Sequence, residues 1–187
     1  MTTGVNLALG ISSVPLWEVL QFGCSPGLQS CESGDYLRLM GRTFSDNLIH
    51  VVFSTKERER FAEERMDRIC EFMGGIARKN GFHVLTMGAT EDHVHLLVQI
   101  PPILSISKAV RLMKGGSSKW YNDTFAEKRF GWQEGFSAFS VSRSVADKVE
   151  AYIRNQKEHH KKRDFPEELR AILKKHGVKF EEDYLLG

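Results

Sequence analysis

Two histidines one residue apart, His93 and His95, stand in the run Glu91-Asp92-His93-Val94-His95-Leu96-Leu97-Val98. Side chains alternate along a strand, so both imidazoles project from one face, roughly 6 to 7 Å apart at the backbone for a rise of about 3.3 Å per residue. Two rings at that spacing can converge on one ion and form half of a metal site. The pair alone serves as well for hydrogen-bonded or surface histidines, and both readings stand. Downstream, Tyr152 and Gln156 are four residues apart and share a helical face, which His160 continues by another turn. A half-buried anchoring aromatic with its hydroxyl on water is the plain alternative for Tyr152.

The elements that must position these residues can be read from periodicity. Leu48, Ile49, Val51, Val52 and Phe53 predict a buried strand over 47–54. Met66, Ile69, Cys70, Met73, Ile76 and Ala77 fall at helical spacing, with Glu63 and Glu64 at one end, Arg78 and Lys79 at the other, and Asn80-Gly81 as the stop. Strands over 82–89 and 93–100 form a hairpin, ended by Pro101 and Pro102. A second helix spans 105–123, weakened at Gly115 and Gly116, where a bend is expected. Phe136 to Val141 reads as a fourth strand, and Ser142 or Ser144 caps a third helix running to about 160. The expected fold is α+β: a ferredoxin-like, RRM-like βαββαβ four-stranded antiparallel sheet, with an additional C-terminal helix carrying the tyrosine. In the third strand Val94, Leu96, Val98 and Ile100 form one face, and His93, His95, Leu97 and Gln99 the other.

Residues 1–39 differ from the rest. They are rich in Gly and Ser, poor in charge, without periodicity, and lack the basic start of a signal peptide. They read as a poorly ordered extension from an upstream start or a vector, with the working domain at 40–187. The chain has 187 residues, 41% of them hydrophobic and 27% charged, enough for one core and too charged for a membrane span. Three cysteines without paired spacing signal neither a disulfide framework nor a thiolate zinc site, and a reducing cytoplasm fits. Residues 108–163 hold thirteen Lys or Arg against six Asp or Glu, a surplus that suits a polyanion such as nucleic acid or else a solvated surface.

The run from Glu91 to Val98, followed by Tyr152-Ile153-Arg154-Asn155-Gln156 and His159-His160, resembles the single-tyrosine HUH transposases of the small insertion-sequence-200-like elements. Supporting stretches are His50 to Lys56, Lys114 to Lys119, and Trp132-Gln133 through Phe139 to Ser142, so the resemblance spans about Met40 to Tyr184. It implies a DNA strand transferase acting on single-stranded ends that fold into hairpins. Tyr152 would attack phosphorus and form a 5′-phosphotyrosine, freeing a 3′-hydroxyl without ATP. His93, His95 and Gln156 would hold a divalent cation that helps a phenol of pKa near 10 lose its proton. Donor softness alone suits zinc or a late transition ion, whereas the family is similar in using Mg2+ or Mn2+. The resemblance also implies a homodimer in which the tyrosine of one subunit can serve the histidines of the other.

Phosphate contacts are expected from Lys56, Arg58, Arg111, Lys114, Lys119 and Arg143, each of which alone reads as a solvated base. Phe136 or Trp132 could stack an unpaired base, or belong to the core. His159 and His160 could assist proton transfer or face phosphate. Two other functions compete. One is a domesticated relative of these transposases that processes repetitive extragenic palindromes. The other is a non-catalytic RRM-like module, against which His93-Val94-His95 stands where an RRM carries aromatics.

Overall fold

In the computed structural model, residues 44–125, 128–160, 164–182 and 185 are described. The reading of residues 1–39 as an extension lies outside them. Four antiparallel strands, β1 (Leu48–Ser54), β2 (His83–Ala89), β3 (His93–Gln99) and β4 (Ser137–Val141), form one sheet in the order β2-β3-β1-β4. With α1 (Glu63–Lys79) between β1 and β2 and α2 (Ile106–Thr124) between β3 and β4, this is the expected βαββαβ arrangement.

The two central strands, β1 and β3, are covered on both faces, which is why β1 is buried at all seven positions. Ile49, Val51, Phe53, Val94, Leu96 and Val98 point to one side, against Met66, Ile69 and Met73 of α1 and Ala109, Val110 and Met113 of α2. The glycine pair does not interrupt α2, which runs unbroken from Ile106 to Thr124. Gly116 instead lets the two helices meet, because a Cβ there would press on the Ile76 side chain.

The opposite face carries His50, Val52, His93, His95 and Leu97, and a second helical layer covers it. The third helix is shorter than its periodicity suggests. α3 (Ala146–Arg154) stops at Asn155 (φ −93°, ψ 16°), and Gln156–His159 forms a separate turn, α4. Ala146 and Ile153 dock α3 on Leu48 and Leu97. A further helix, α5 (Phe165–Lys175), was not anticipated. Its Phe165, Leu169 and Leu173 pack on Val52 and Phe139. Asp164 caps it by accepting from the Glu167 N–H at 3.0 Å, and Pro166 sits in its first turn. Among the described residues no helix is long and apolar enough to cross a membrane.

Candidate metal and tyrosine site

Strand alternation places His93 and His95 side by side, both fully buried, with ring centroids 5.3 Å apart. Each is oriented from behind. His93 Nδ1 lies 2.7 Å from Asp92 Oδ1 and 2.8 Å from Thr90 Oγ1; a carboxylate only accepts, so Nδ1 carries the proton and Nε2 turns its lone pair inward. Arg58 fixes Asp92 through Nε at 3.2 Å and Nη2 at 2.9 Å. It lies in a short turn, Lys56–Arg58, where Glu57 and Arg58 both take the left-handed region (φ 53° and 55°). His95 Nδ1 sits 3.0 Å from His50 Nε2 across the sheet. The role of His50 escapes a strand pattern because it depends on pairing. In the β1–β3 register His50 stands opposite Leu97 and Val52 opposite His95, so the two imidazoles are diagonal neighbours on one face.

The helical layer adds the remaining groups. The Tyr152 ring stands edge-on to His95 at 5.9 Å between centroids and to His50 at 6.2 Å. Its hydroxyl donates to Glu168 Oε1. Gln156 Nε2 donates to the same oxygen at 3.1 Å, and His160 Nε2 lies 2.7 Å from Oε2. One chain therefore gathers Tyr152, Gln156, His93 and His95 despite the break at Asn155. Glu168, only 7% exposed, is the centre of this cluster and was not foreseen. The signal for it was present: Asp164, Pro166 and two glutamates followed by Leu169 and Leu173 spell a helix start with an apolar stripe. Gly88 of β2 permits the close approach, since a Cβ there would collide with the Ile153 carbonyl and sit 3.2 Å from Gln156 Cγ.

The electrostatics keep His93 and His50 neutral. Burial pulls His93 down to about 4, against the opposing hydrogen bond to Asp92, and pulls His50 down to about 3. Burial alone would raise Asp92, but its bonds to His93 and Arg58 bring it to about 2. Burial would likewise raise Glu168, and it is outweighed by His160, the neighbouring His95 and Tyr152, so the carboxyl lies well below its usual range. The folded protein thus refuses protons that the unfolded histidines accept below about 6.5. Stability in excess chelator is expected to be full above pH 6.5 and to fall as the pH drops through 4 for His93 and 3 for His50. Urea midpoints at pH 7.5, 6, 5 and 4 measure this; a flat series would refute it.

Two buried polar atoms lack a hydrogen-bond partner among the described residues: His95 Nε2 and Gln156 Oε1. The amide oxygen offers a lone pair, as does His95 Nε2 when its proton sits on Nδ1, and orphaned buried atoms of this kind are what a cation satisfies. His93, His95 and Gln156 therefore fit a metal. His93, His95, His160 and Glu168 also offer ligand atoms within 4.8 Å of one another.

The expected phosphate contacts are scattered. Arg58 is bound to Asp92, and Lys114 Nζ donates to the carbonyls of Gln133 and Gly135, the latter at 2.8 Å, so it anchors a loop. Arg143 pairs with Asp46 at 2.8 Å and Lys119 with Asp123 at 2.8 Å. Lys56 and Arg111 are exposed. Arg111, Lys114 and Lys119 belong to α2, across the sheet from His93 and His95. Trp132 is core, its indole N–H donating to Ser117 Oγ at 2.9 Å, and is not open for stacking. Phe136 lines a cavity of about 200 Å3 between β4 and α5. A larger cleft of about 610 Å3 opens beside the cluster, lined by Arg58, Arg60, Lys157 and His160 together with the acidic Glu63, Glu91, Asp92, Asp164 and Glu167.

A four-stranded α+β sheet with two adjacent strand histidines facing a helical tyrosine defines a class, and comparison with known proteins agrees. The sequence model of the family described as IS200-like transposases matches residues 43–156, more than half of the chain, which belongs to that family. The transposase of insertion sequence element IS200 from Salmonella typhimurium is 28% identical over 119 residues, covering 60% of this chain and 78% of the relative. The ISDra2 transposase TnpA of Deinococcus radiodurans is 29% identical over 114 residues, covering 57% and 81%. A crystal structure of a Deinococcus radiodurans transposase superposes with a TM-score of 0.51 at 24% identity, over 62% of this chain and 94% of that one. A REP-associated tyrosine transposase, solved bound to a REP hairpin, gives 0.50 at 14% identity, over 65% and 73%. At these identities the two structures speak to the fold alone.

Proposed function

We propose that the chain cleaves and rejoins single-stranded DNA at hairpin-bearing element ends through a 5′-phosphotyrosine on Tyr152. The observation that carries this reading is that the Tyr152 hydroxyl meets Gln156 at one carboxylate, beside His95, within a single chain. The Tyr152 oxygen attacks phosphorus and gives up its proton. The P–O3′ bond breaks, a 3′-hydroxyl leaves with a proton gained, and the 5′-phosphate remains on the tyrosine. The phosphodiester energy stays in that link, and attack by another 3′-hydroxyl reverses the step and joins strands. His93, His95 and Gln156 would hold a divalent ion, Mg2+ or Mn2+, which would supply charge neutralisation at the phosphate and lower the pKa of the phenol. Thr90, Asp92 and His50 lock the two imidazoles behind it. The cleft beside the cluster, where Arg58, Arg60 and Lys157 stand among Glu63, Glu91, Asp92, Asp164 and Glu167, is where the strand would enter.

Incubating a labelled single-stranded hairpin end with the protein should give a covalent adduct on denaturing gels that vanishes in excess chelator and returns with Mn2+. Full adduct yield in chelator would remove the ion from the reaction. Asp92→Ala removes the acceptor that orients His93, so Mn2+ affinity should fall about 10- to 100-fold. Titration calorimetry reads this directly, and unchanged affinity would show that Asp92 is not an orienting group.

A further inference from the structure

We propose that Glu168 is a fourth ligand to the cation, a carboxylate that α5 adds to His93, His95 and Gln156. This rests on the metal reading above. Glu168 lies outside residues 43–156, the stretch that matches the family, so the ligand belongs to this chain's own C-terminal helix. Two donors each about 2.1 Å from one ion stand about 3.0 Å apart at a right angle and about 3.4 Å apart at the tetrahedral angle. Glu168 Oε2 is 3.5 Å from His95 Nε2 and 3.8 Å from His93 Nε2. The 3.5 Å separation is long for a hydrogen bond and close to the tetrahedral spacing of two ligands, and the 3.8 Å one would have to shorten by a few tenths of an ångström on binding. His95 Nε2, orphaned without an ion, would gain its partner.

Burial and support point the same way. Glu168 is 7% exposed, and among the described residues its ion-pair partners are imidazoles, while the nearby Arg58 guanidinium is bound to Asp92. A buried carboxylate without a fixed cation is costly, and a divalent ion removes that cost. The remaining lone pairs of Glu168 are occupied by Tyr152, by His160 and by the amide N–H of its fellow ligand Gln156, and these bonds aim the carboxylate. The helix is pinned on both sides of the ligand by Phe165, stacked on His93 at 4.3 Å, and by Leu169. His160 is thereby a positioning residue, its ring 4.3 Å from that of His93. A charged, harder oxygen added to three neutral donors also moves the set toward Mn2+ and away from softer ions.

The test is Mn2+ titration of the full chain, stripped by chelator and dialysed, with free Mn2+ read by electron paramagnetic resonance. Glu168→Gln keeps the shape and removes the charge; its Mn2+ dissociation constant should rise at least tenfold over wild type. Affinity equal to or tighter than wild type would overturn the proposal and make Glu168 a group that merely fills the site. If Glu168→Gln does not fold, wild type alone decides: infrared difference spectra of 13C-Glu-labelled protein should show a carboxylate band shifting on Mn2+ loading, and no shift overturns the ligand. Wild type that forms the DNA adduct while Glu168→Gln binds Mn2+ equally well sinks this inference alone. A shifted band and a weakened variant without any adduct in wild type support the ligand and sink the strand-transfer reading.

Discussion

Tyr152→Phe is expected to abolish the covalent DNA adduct and to lower strand cleavage by a factor on the order of 10^3 or more, because no other group can take over a removed nucleophile. The loss should be chemical, not structural. The variant forfeits one hydrogen bond to Glu168, worth about 1 to 3 kcal/mol, while the ring keeps its edge contacts with His95 and His50. Mn2+ affinity should fall far less than cleavage does, since the phenol is only one of three groups that hold the Glu168 carboxylate. Tyr152 sits over the histidines of its own chain, so mixing Tyr152→Phe with His93→Ala should not restore cleavage. Restored cleavage would show that the working enzyme exchanges α3 between subunits.

The second large effect comes from a residue without a side chain. In Gly88→Ala the new Cβ would meet the Ile153 carbonyl, which is backbone and cannot rotate away. α3 must move off β2, and Tyr152 and Gln156 move with it. A displacement of about 1 Å at a reacting group costs about 10^2-fold in rate, against an overpacking penalty of about 1 to 3 kcal/mol in stability. Gly115→Ala is the control: nothing lies within 4 Å of its Cβ, and helix propensity should make it stabilising by about 0.5 to 1 kcal/mol with cleavage unchanged. Parallel losses in both variants would mean that Gly88 is not a contact point.

What the sequence made legible is the part governed by local period. Alternation in β3 set which face His93 and His95 share, and the apolar runs set the four strands to within a residue or two. The i, i+4 relation of Tyr152 and Gln156 predicted a common destination, which survives although Asn155 ends α3 between them. α5 was missed because the helical reading stopped with the third helix at about residue 160, short of the cap at Asp164. With α5 went Glu168. The surroundings of the bases were hidden for a different reason. Whether Lys114 faces phosphate or three loop carbonyls, and whether Arg58 is free or tied to Asp92, depends on partners remote in sequence, which no periodicity reports.

The most direct measurement is proteolysis of the DNA adduct followed by mass spectrometry of the nucleotide-bearing peptide. The expected result is a single modified peptide with the 5′-phosphate on the Tyr152 oxygen. A nucleotide mapped to Tyr121, to a serine or to any other residue, or a cleaved strand with no peptide attached, would contradict the account.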